Sequence, residues 1–216
     1  WNLEQSYMPS MLKTNSYDTI CHEHLEYYSL KVIKDLLESA GLRIIDVTFN
    51  KINGGSFSVI AAHEKSKFIS NNVIINWILS QEKKQALHTP FPYRDFERRA
   101  YEHRSDLKNL INLLIQDGNK IAGYGASTKG NVVLQFCQFT SREIYGIAEV
   151  NADKFGKYTP STNIPIHSEK EIKLEKPDYM LVLPWHFRSN IIEREKEYLK
   201  NGGKIKKFNS WGKEVK

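Results

Sequence analysis

The stretch that most constrains the fold is Lys120-Ile121-Ala122-Gly123-Tyr124-Gly125, which runs into Ala126-Ser127-Thr128-Lys129-Gly130-Asn131. A short apolar run ends in glycines, and Val132, Val133, Phe136 and Cys137 then recur at helical spacing. A strand that turns directly into a helix cannot close a hairpin, so its sheet partners must arrive by crossover. Further strands are predicted at Ile144–Val150, Tyr179–Leu183 and Lys204–Phe208, with a helix around Ile191–Lys200. This alternation predicts an α/β, Rossmann-like domain with a parallel sheet and right-handed crossovers over residues 105–216.

The first part of the chain carries a different pattern. Ser29 can cap a helix in which Leu30, Ile33, Leu36, Leu37 and Ala40 share a face, and Gly41 falls where a C-terminal cap belongs. Two β-rich runs follow, residues 42–49 and 56–62, joined by Asn50-Lys51-Ile52-Asn53-Gly54-Gly55, whose turn chemistry suits a hairpin or a longer loop. Residues 1–16, with few apolar positions and Pro9, read as loop and irregular chain. Residues 66–104 read as a helical connector interrupted at Thr89-Pro90-Phe91-Pro92, and Ser105 reads as the cap of a new helix over Leu107, Leu110, Ile111, Leu114 and Ile115.

At 216 residues and 40% hydrophobic, the chain can bury a core in one large domain or two small ones. The net charge of +6 comes from basic and acidic residues mixed along the chain, apart from Lys200, Lys204, Lys206, Lys207, Lys213 and Lys216. Such a cluster is ordinarily a solvated face, so an anionic small ligand is expected and no nucleic acid. Cys21 and Cys137 are too few for a disulfide framework, which suits a reducing, cytoplasmic setting. No apolar run approaches the roughly 18 residues of a membrane span, and no signal peptide is recognisable, so no membrane association is expected. The chain opens on Trp1 without a Met, which reads as the interior of a longer reading frame.

Two segments carry chemistry. At the glycine-rich junction the backbone can approach a ligand closely, while Ser127, Thr128, Lys129 and the amides of a helix start can meet phosphate oxygens. Its spacing, G-x-G-x-x-x-x-G, is neither the dinucleotide fingerprint nor the P-loop, and a strand-end acid about 20 residues on is not recognisable. A tight turn with small residues for packing is the alternative reading. The second segment, Cys21-His22-Glu23-His24-Leu25-Glu26-Tyr27-Tyr28-Ser29, concentrates imidazoles, carboxylates and phenols. His22 and His24 cannot share a helix face, and a metal site would need a further ligand that the sequence does not nominate, so no metal site is expected. General acid–base chemistry is simpler to arrange, since histidine titrates near neutrality.

The run Tyr17 to Ser29 resembles the D-x-x-Y-H-E-H-x-x-Y-x-S signature of the S-adenosylmethionine-dependent sugar C-methyltransferases, which methylate carbon 3 of nucleotide-linked 4-keto deoxysugars. Asn53-Gly54-Gly55-Ser56, Gly123 to Asn131, Lys157-Tyr158-Thr159-Pro160 with Ile164-Pro165-Ile166, Pro177-Asp178-Tyr179 and Pro184-Trp185 agree with that family in order. The resemblance implies that residues 1–65 are the C-terminal end of the catalytic domain, its last helix and β-hairpin, and that residues 105–216 bind the sugar nucleotide. It implies His24 as the base, Glu23 as the group that orients base or sugar, and His22 outside direct substrate contact. Tyr28, Asn53, Ser56, Tyr124, Ala126, Ser127, Thr128, Lys129, Asn131, Lys157 and Tyr158 are the implied contacts to a nucleoside diphosphate sugar. S-adenosylmethionine would bind through a loop this chain does not contain, and zinc only in a preceding lobe, so the chain by itself is expected to be inactive. Cys21 stands where the family has Tyr, Ser58 where a basic residue is common, and His186 where an Asn is usual. Two other classes remain: a non-catalytic nucleotide-sugar-binding module, supported by Cys21, and another nucleotide-dependent enzyme, such as an oxidoreductase using Gly123–Gly130, disfavoured by the missing fingerprint and ribose-binding acid.

Overall fold

Antiparallel pairing organises the first part of the chain and parallel pairing the last, as the two sequence patterns require. A computed structural model describes residues 1–50, 55–184, 188–200 and 204–206. The chain divides into two units, one made of Trp1–Ser16 with Glu23–Arg98, the other of Tyr17–His22 with Arg99–Lys216.

In the first unit, β1 (Asn2–Ser6) leads into α1 (Met8–Thr14), and α2 (Leu30–Ser39) precedes β2 (Leu42–Asn50), β3 (Ser56–His63) and α3 (Asn72–Lys84). The three strands form an antiparallel sheet in the order β1-β3-β2. The expected helix and hairpin strands are present, although the link at 51–54, Asn53 included, lies outside the described residues. Ser29 Oγ accepts from the Val32 amide, Leu30, Ile33 and Leu37 are buried, and Gly41 takes a left-handed φ of +70°. Those side chains pack on Ile44, Val47, Phe57 and Val59 of the sheet. A bulge between Ile44 and Asp46 re-phases β2, which is why its two buried residues are three apart rather than two.

Residues 2–14 correct the reading of irregular chain. β1 is held by backbone pairing to β3 with little apolar burial of its own, so hydropathy does not reveal it. Pro9 sits in the first turn of α1, where its missing N–H costs nothing, and Asn15 closes that helix with φ 54°.

A buried carboxylate ties this unit together. Glu82 of α3, 3% exposed, accepts from the Tyr7 hydroxyl at 2.8 Å and from the Leu30 and Lys31 amides at 2.6 and 2.9 Å. It thereby caps α2 from another helix, satisfying donors that α2 leaves open at its start.

The helix α4 (Phe91–Gln116) is continuous, so Ser105 lies inside it rather than at a cap. The prolines at 90 and 92 mark its first turn, where proline is tolerated, and nothing beyond them breaks it. The second unit continues with β4 (Ile121–Tyr124), α5 (Thr128–Cys137), β5 (Ile147–Glu149), β6 (Ile166–Ser168), α6 (Glu169–Leu174), β7 (Tyr179–Val182), α7 (Arg188–Arg194), α8 (Lys196–Lys200) and β8 (Lys204–Lys206). Its sheet is parallel throughout, in the order β6-β5-β4-β7-β8, as the Rossmann-like reading expects.

Both faces of this sheet are covered. Ile121, Ile147, Tyr179 and Leu181 pack with Leu107 and Ile111 of α4 and Leu134 of α5. Ala122, Tyr124, Ala148, Met180 and Val182 pack with Ile172 of α6 and Ile191 of α7. The chain winds outward from β4 to β6, then returns to the other side at β7. That reversal leaves a crevice at the carboxyl ends of β4 and β7.

Replacing Glu82 by Ala strands one phenol and two amides in the first unit, and should cost about 3 kcal/mol. Urea titration followed by fluorescence should show the loss, with Glu82→Gln recovering part of it.

Candidate functional site

The crevice is a cleft of about 290 Å³ lined by Tyr124 at the end of β4, Gly125, Ala126 and Ser127 after it, Ala148, Glu149 and Val150 at the end of β5, and Lys154, Glu169, Pro184, Ile191 and Arg194. Glycine is required at its neck. Gly125 has φ +87°, and a Cβ there would lie 2.7 Å from Pro184 Cγ. A Cβ on Gly130 would lie 2.7 Å from Leu183 Cβ, so α5 approaches β7 as closely as it does because that residue has no side chain. Ser127 caps α5, its Oγ accepting from the Gly130 amide at 3.0 Å.

The turn amides expected to cradle phosphate are engaged within the chain. The Ser127 amide donates to the Gly125 carbonyl at 3.0 Å, and the Ala126 amide to Glu149 Oε2 at 2.8 Å. Glu149, 7% exposed, also accepts from the Val150 and Asn151 amides at 2.8 and 3.0 Å. Burial alone would raise its pKa. The amides of Asn151, Val150 and Ala126, with Lys154 beside them, outweigh burial and hold the carboxyl below its ordinary value. Glu149 is the strand-end acid that sequence reading did not recognise; the signal available was an acid closing the apolar run of the second strand of the sheet.

The opposite wall is a charge network around Tyr124. Its hydroxyl lies between the carboxylates of Glu169 and Glu195, the latter 2.9 Å away, and receives Nη2 of Arg194. Burial raises the Tyr124 pKa first, Arg194 opposing it and the two carboxylates adding to it, so the phenol stays protonated at neutral pH. Arg194 pairs with Glu169 at 2.5 Å, and Lys173 with the buried Glu195 at 2.7 Å.

Exposure decides what such a pocket offers a ligand. The Arg194 and Lys154 side chains are 48% and 42% exposed, whereas their partners Glu169 and Glu149 are 18% and 8%. The acids are recessed and the cations face outward. Lys154, Glu169 and Arg194 were not legible as site residues because they lie far from the glycine turn in sequence and meet it only through the fold.

The second chemical segment is neither helix nor strand. Residues 21–23 form a bend and turn, and 24–27 run irregularly to Tyr28, whose carbonyl accepts from the Met8 amide at 2.9 Å. In the first unit, Glu23, His24, Leu25, Glu26, Tyr27 and Tyr28 line a cleft of about 370 Å³ with Gln5 and Ser6. His24 is half-buried, meeting the Tyr27 ring edge-on at 6.5 Å between centroids, and Tyr28 donates its hydroxyl to Glu26. His22 is exposed and lies outside this lining.

The other expected contacts are dispersed. Tyr124, Ala126 and Ser127 line the cleft of the second unit, whereas Thr128, Lys129 and Asn131 sit half-buried on the first turn of α5, away from that lining. Lys157 and Tyr158 are exposed on the loop before β6 and do not line it. Ser56 is buried where β3 begins, opposite Ser6 and Asn50.

Comparison with known proteins gives two findings. Residues 51–206 match the family described as the C-methyltransferase C-terminal domain. The chain is also 37% identical over 203 residues to the C-methyltransferase NovU of Streptomyces niveus, an alignment covering 94% of this chain and 48% of that protein, so the chain spans about half the length of this relative.

Two substitutions test the geometry. Gly125→Ala forces an unfavourable φ against Pro184 and should destabilise the second unit by about 1–3 kcal/mol. Glu149→Gln should cost about 2 kcal/mol at pH 7. Because the native carboxyl is held low, its contribution is complete above the ordinary value of 4.5 and fades as pH falls through the native value. The gap between wild type and Glu149→Gln in urea unfolding should therefore narrow in acid.

Proposed function

Because the chain belongs to the family of C-methyltransferase C-terminal domains, we propose that it forms the acceptor-binding part of a C-methyltransferase acting on a nucleotide-linked 4-keto deoxysugar. The observation that carries this reading is the outward-facing pair of cations in the cleft of the second unit, Lys154 and Arg194. A diphosphate is the anion such a wall suits, with the nucleoside lying along Ala148, Val150 and Ile191 and a ribose hydroxyl donating to Glu149. Ser127, whose oxygen accepts from Gly130, retains its own proton to donate to phosphate.

In the first unit, His24 is the base of this reading. A C–H bond beside a ketone is acidified by that ketone; the imidazole takes the proton, and the electron pair passes into an enolate whose charge rests on the former keto oxygen. In this reading Glu23 orients the base or the sugar and Tyr28 contacts the acceptor, supported by Tyr28 and His24 lining the same cleft. Cys21, where relatives of the resembled family carry Tyr, supplies no phenol, so Tyr27, edge-on to His24, is the neighbouring phenol that this reading assigns in its place.

S-adenosylmethionine supplies the methyl group in this chemistry, but the cleft of the second unit does not fit it. A sulfonium and an ammonium need exposed acids, and here the acids are recessed behind cations. No residue of this chain is assigned to the cofactor, and the chain by itself should transfer no methyl group.

Calorimetry with uridine or thymidine diphosphate tests the binding role. Replacing Arg194 or Lys154 by Gln should each weaken binding about tenfold, as expected for a charge-assisted contact to phosphate. Unchanged affinity in both variants would remove the nucleotide from this cleft. In a methyltransferase that includes this chain, His24→Ala should lower kcat by about a hundredfold or more; normal turnover would remove His24 as the base.

A further inference from the structure

Residues Tyr17–His22 belong to the second unit, although Ser16 before them and Glu23 after them belong to the first. The side chains show why. Tyr17, Asp18 and Thr19 form a 3-10 turn in which all three are buried, and α5 packs against it. The Tyr17 ring lies 5.2 Å from that of Phe136 and 5.5 Å from that of His103, and its hydroxyl is 2.8 Å from His103 Nδ1.

His103 is itself 8% exposed. Burial lowers its pKa, against the charges of Asp106 and Asp18, so the imidazole is neutral and Nδ1 can accept the phenol proton. A buried phenol and a buried imidazole each need a partner, and here each supplies the other.

Asp18, 4% exposed, poses the harder problem, since a buried carboxylate is tolerated only with compensation. Lys129 lies on the first turn of α5, the helix that packs against the Tyr17–Thr19 turn, and its charge interacts with that of Asp18. It does not line the cleft, and burial, which lowers its pKa, is opposed by the charges of Asp18 and Cys21.

We propose that Tyr17, His103, Asp18 and Lys129 form an anchor that fixes where the His22-Glu23-His24 segment leaves the second unit, making all four positioning residues for proton abstraction. This rests on reading His24 as the base. It gives Lys129 a role distinct from phosphate binding, in which it holds the entry to the histidine segment instead of contacting the nucleotide. The anchor and the glycine-rich turn then share one helix, α5, with Ser127 at its cap and Lys129 one residue inside its start.

The test uses the full 216-residue chain, labelled with nitrogen-15, in amide hydrogen exchange, with uridine diphosphate affinity measured in parallel. Tyr17→Phe keeps the ring and removes the hydroxyl; Lys129→Met and Asp18→Asn each remove one charge. Each should speed exchange at residues 18–22 about tenfold or more while β4 and the end of α5 change less than about twofold. Affinity for uridine diphosphate should stay within about twofold, and the Asp18→Asn/Lys129→Met pair should add less than its parts because the two act together. Lys129→Arg should restore slow exchange.

In methyl transfer by an enzyme that includes this chain, the same variants should lower kcat about tenfold with little change in KM for the sugar nucleotide, a split that general loss of folded protein would not produce. Unchanged exchange in Tyr17→Phe and Lys129→Met would overturn the anchor, as would a tenfold loss of uridine diphosphate affinity confined to Lys129→Met. If Tyr17→Phe fails to fold, the Lys129 and Asp18 variants decide. Wild-type failure to bind uridine diphosphate would refute the nucleotide reading and leave the exchange result to judge the anchor.

Discussion

The buried carboxylate of Glu149 is the contact on which the second unit's cleft depends. It gathers the amides of Ala126, Val150 and Asn151 around one group, which fixes the turn after β4 against the end of β5. With those amides occupied by the chain itself, the cleft presents side-chain cations in place of a bare backbone nest. The rest follows: Gly125 must take its left-handed φ to bring Ala126 within reach, and Lys154 stays beside the acid, 3.6 Å away, with its own amine donating to the Ala126 carbonyl at 2.7 Å.

Much of the architecture was legible because it rests on periodicity. The helix capped by Ser29, the β2–β3 hairpin strands and the β4-to-α5 junction are each set by local patterns of apolar residues, caps and glycines, and the structure has all three. What escaped reading depends on partners distant in sequence. β1 is a strand because β3 offers it a ladder, and α4 runs through Ser105 because no local breaker stops it. β6 and α6 are short, although the Ser168–Glu171 capping box was there to be read.

The candidate site divides in the same way. Tyr124, Ala126 and Ser127 fall in the cleft because they end β4 or follow directly on it, and His24, Glu23 and Tyr28 share a cleft because they are close in sequence. Lys129 follows Ser127 by two positions yet does not line the cleft, since each step along a helix rotates a side chain by about 100°. Glu149, Lys154, Glu169 and Arg194 come from four elements or loops that only the parallel sheet brings together. Two of the buried carboxylates, Glu82 in the first unit and Glu149 in the second, do similar work: each accepts from backbone amides of other segments and so organises local chain.

In the proposed function the nucleotide lies in the cleft at the carboxyl ends of β4, β5 and β7. Amide chemical-shift mapping of the nitrogen-15-labelled chain with thymidine or uridine diphosphate tests it most directly. Binding there should give saturable shifts clustered at Gly125–Ser127, Glu149–Val150 and Ile191–Arg194. Shifts concentrated at Lys157 and Tyr158 or in the β2–β3 sheet, with the cleft residues unmoved, would contradict it.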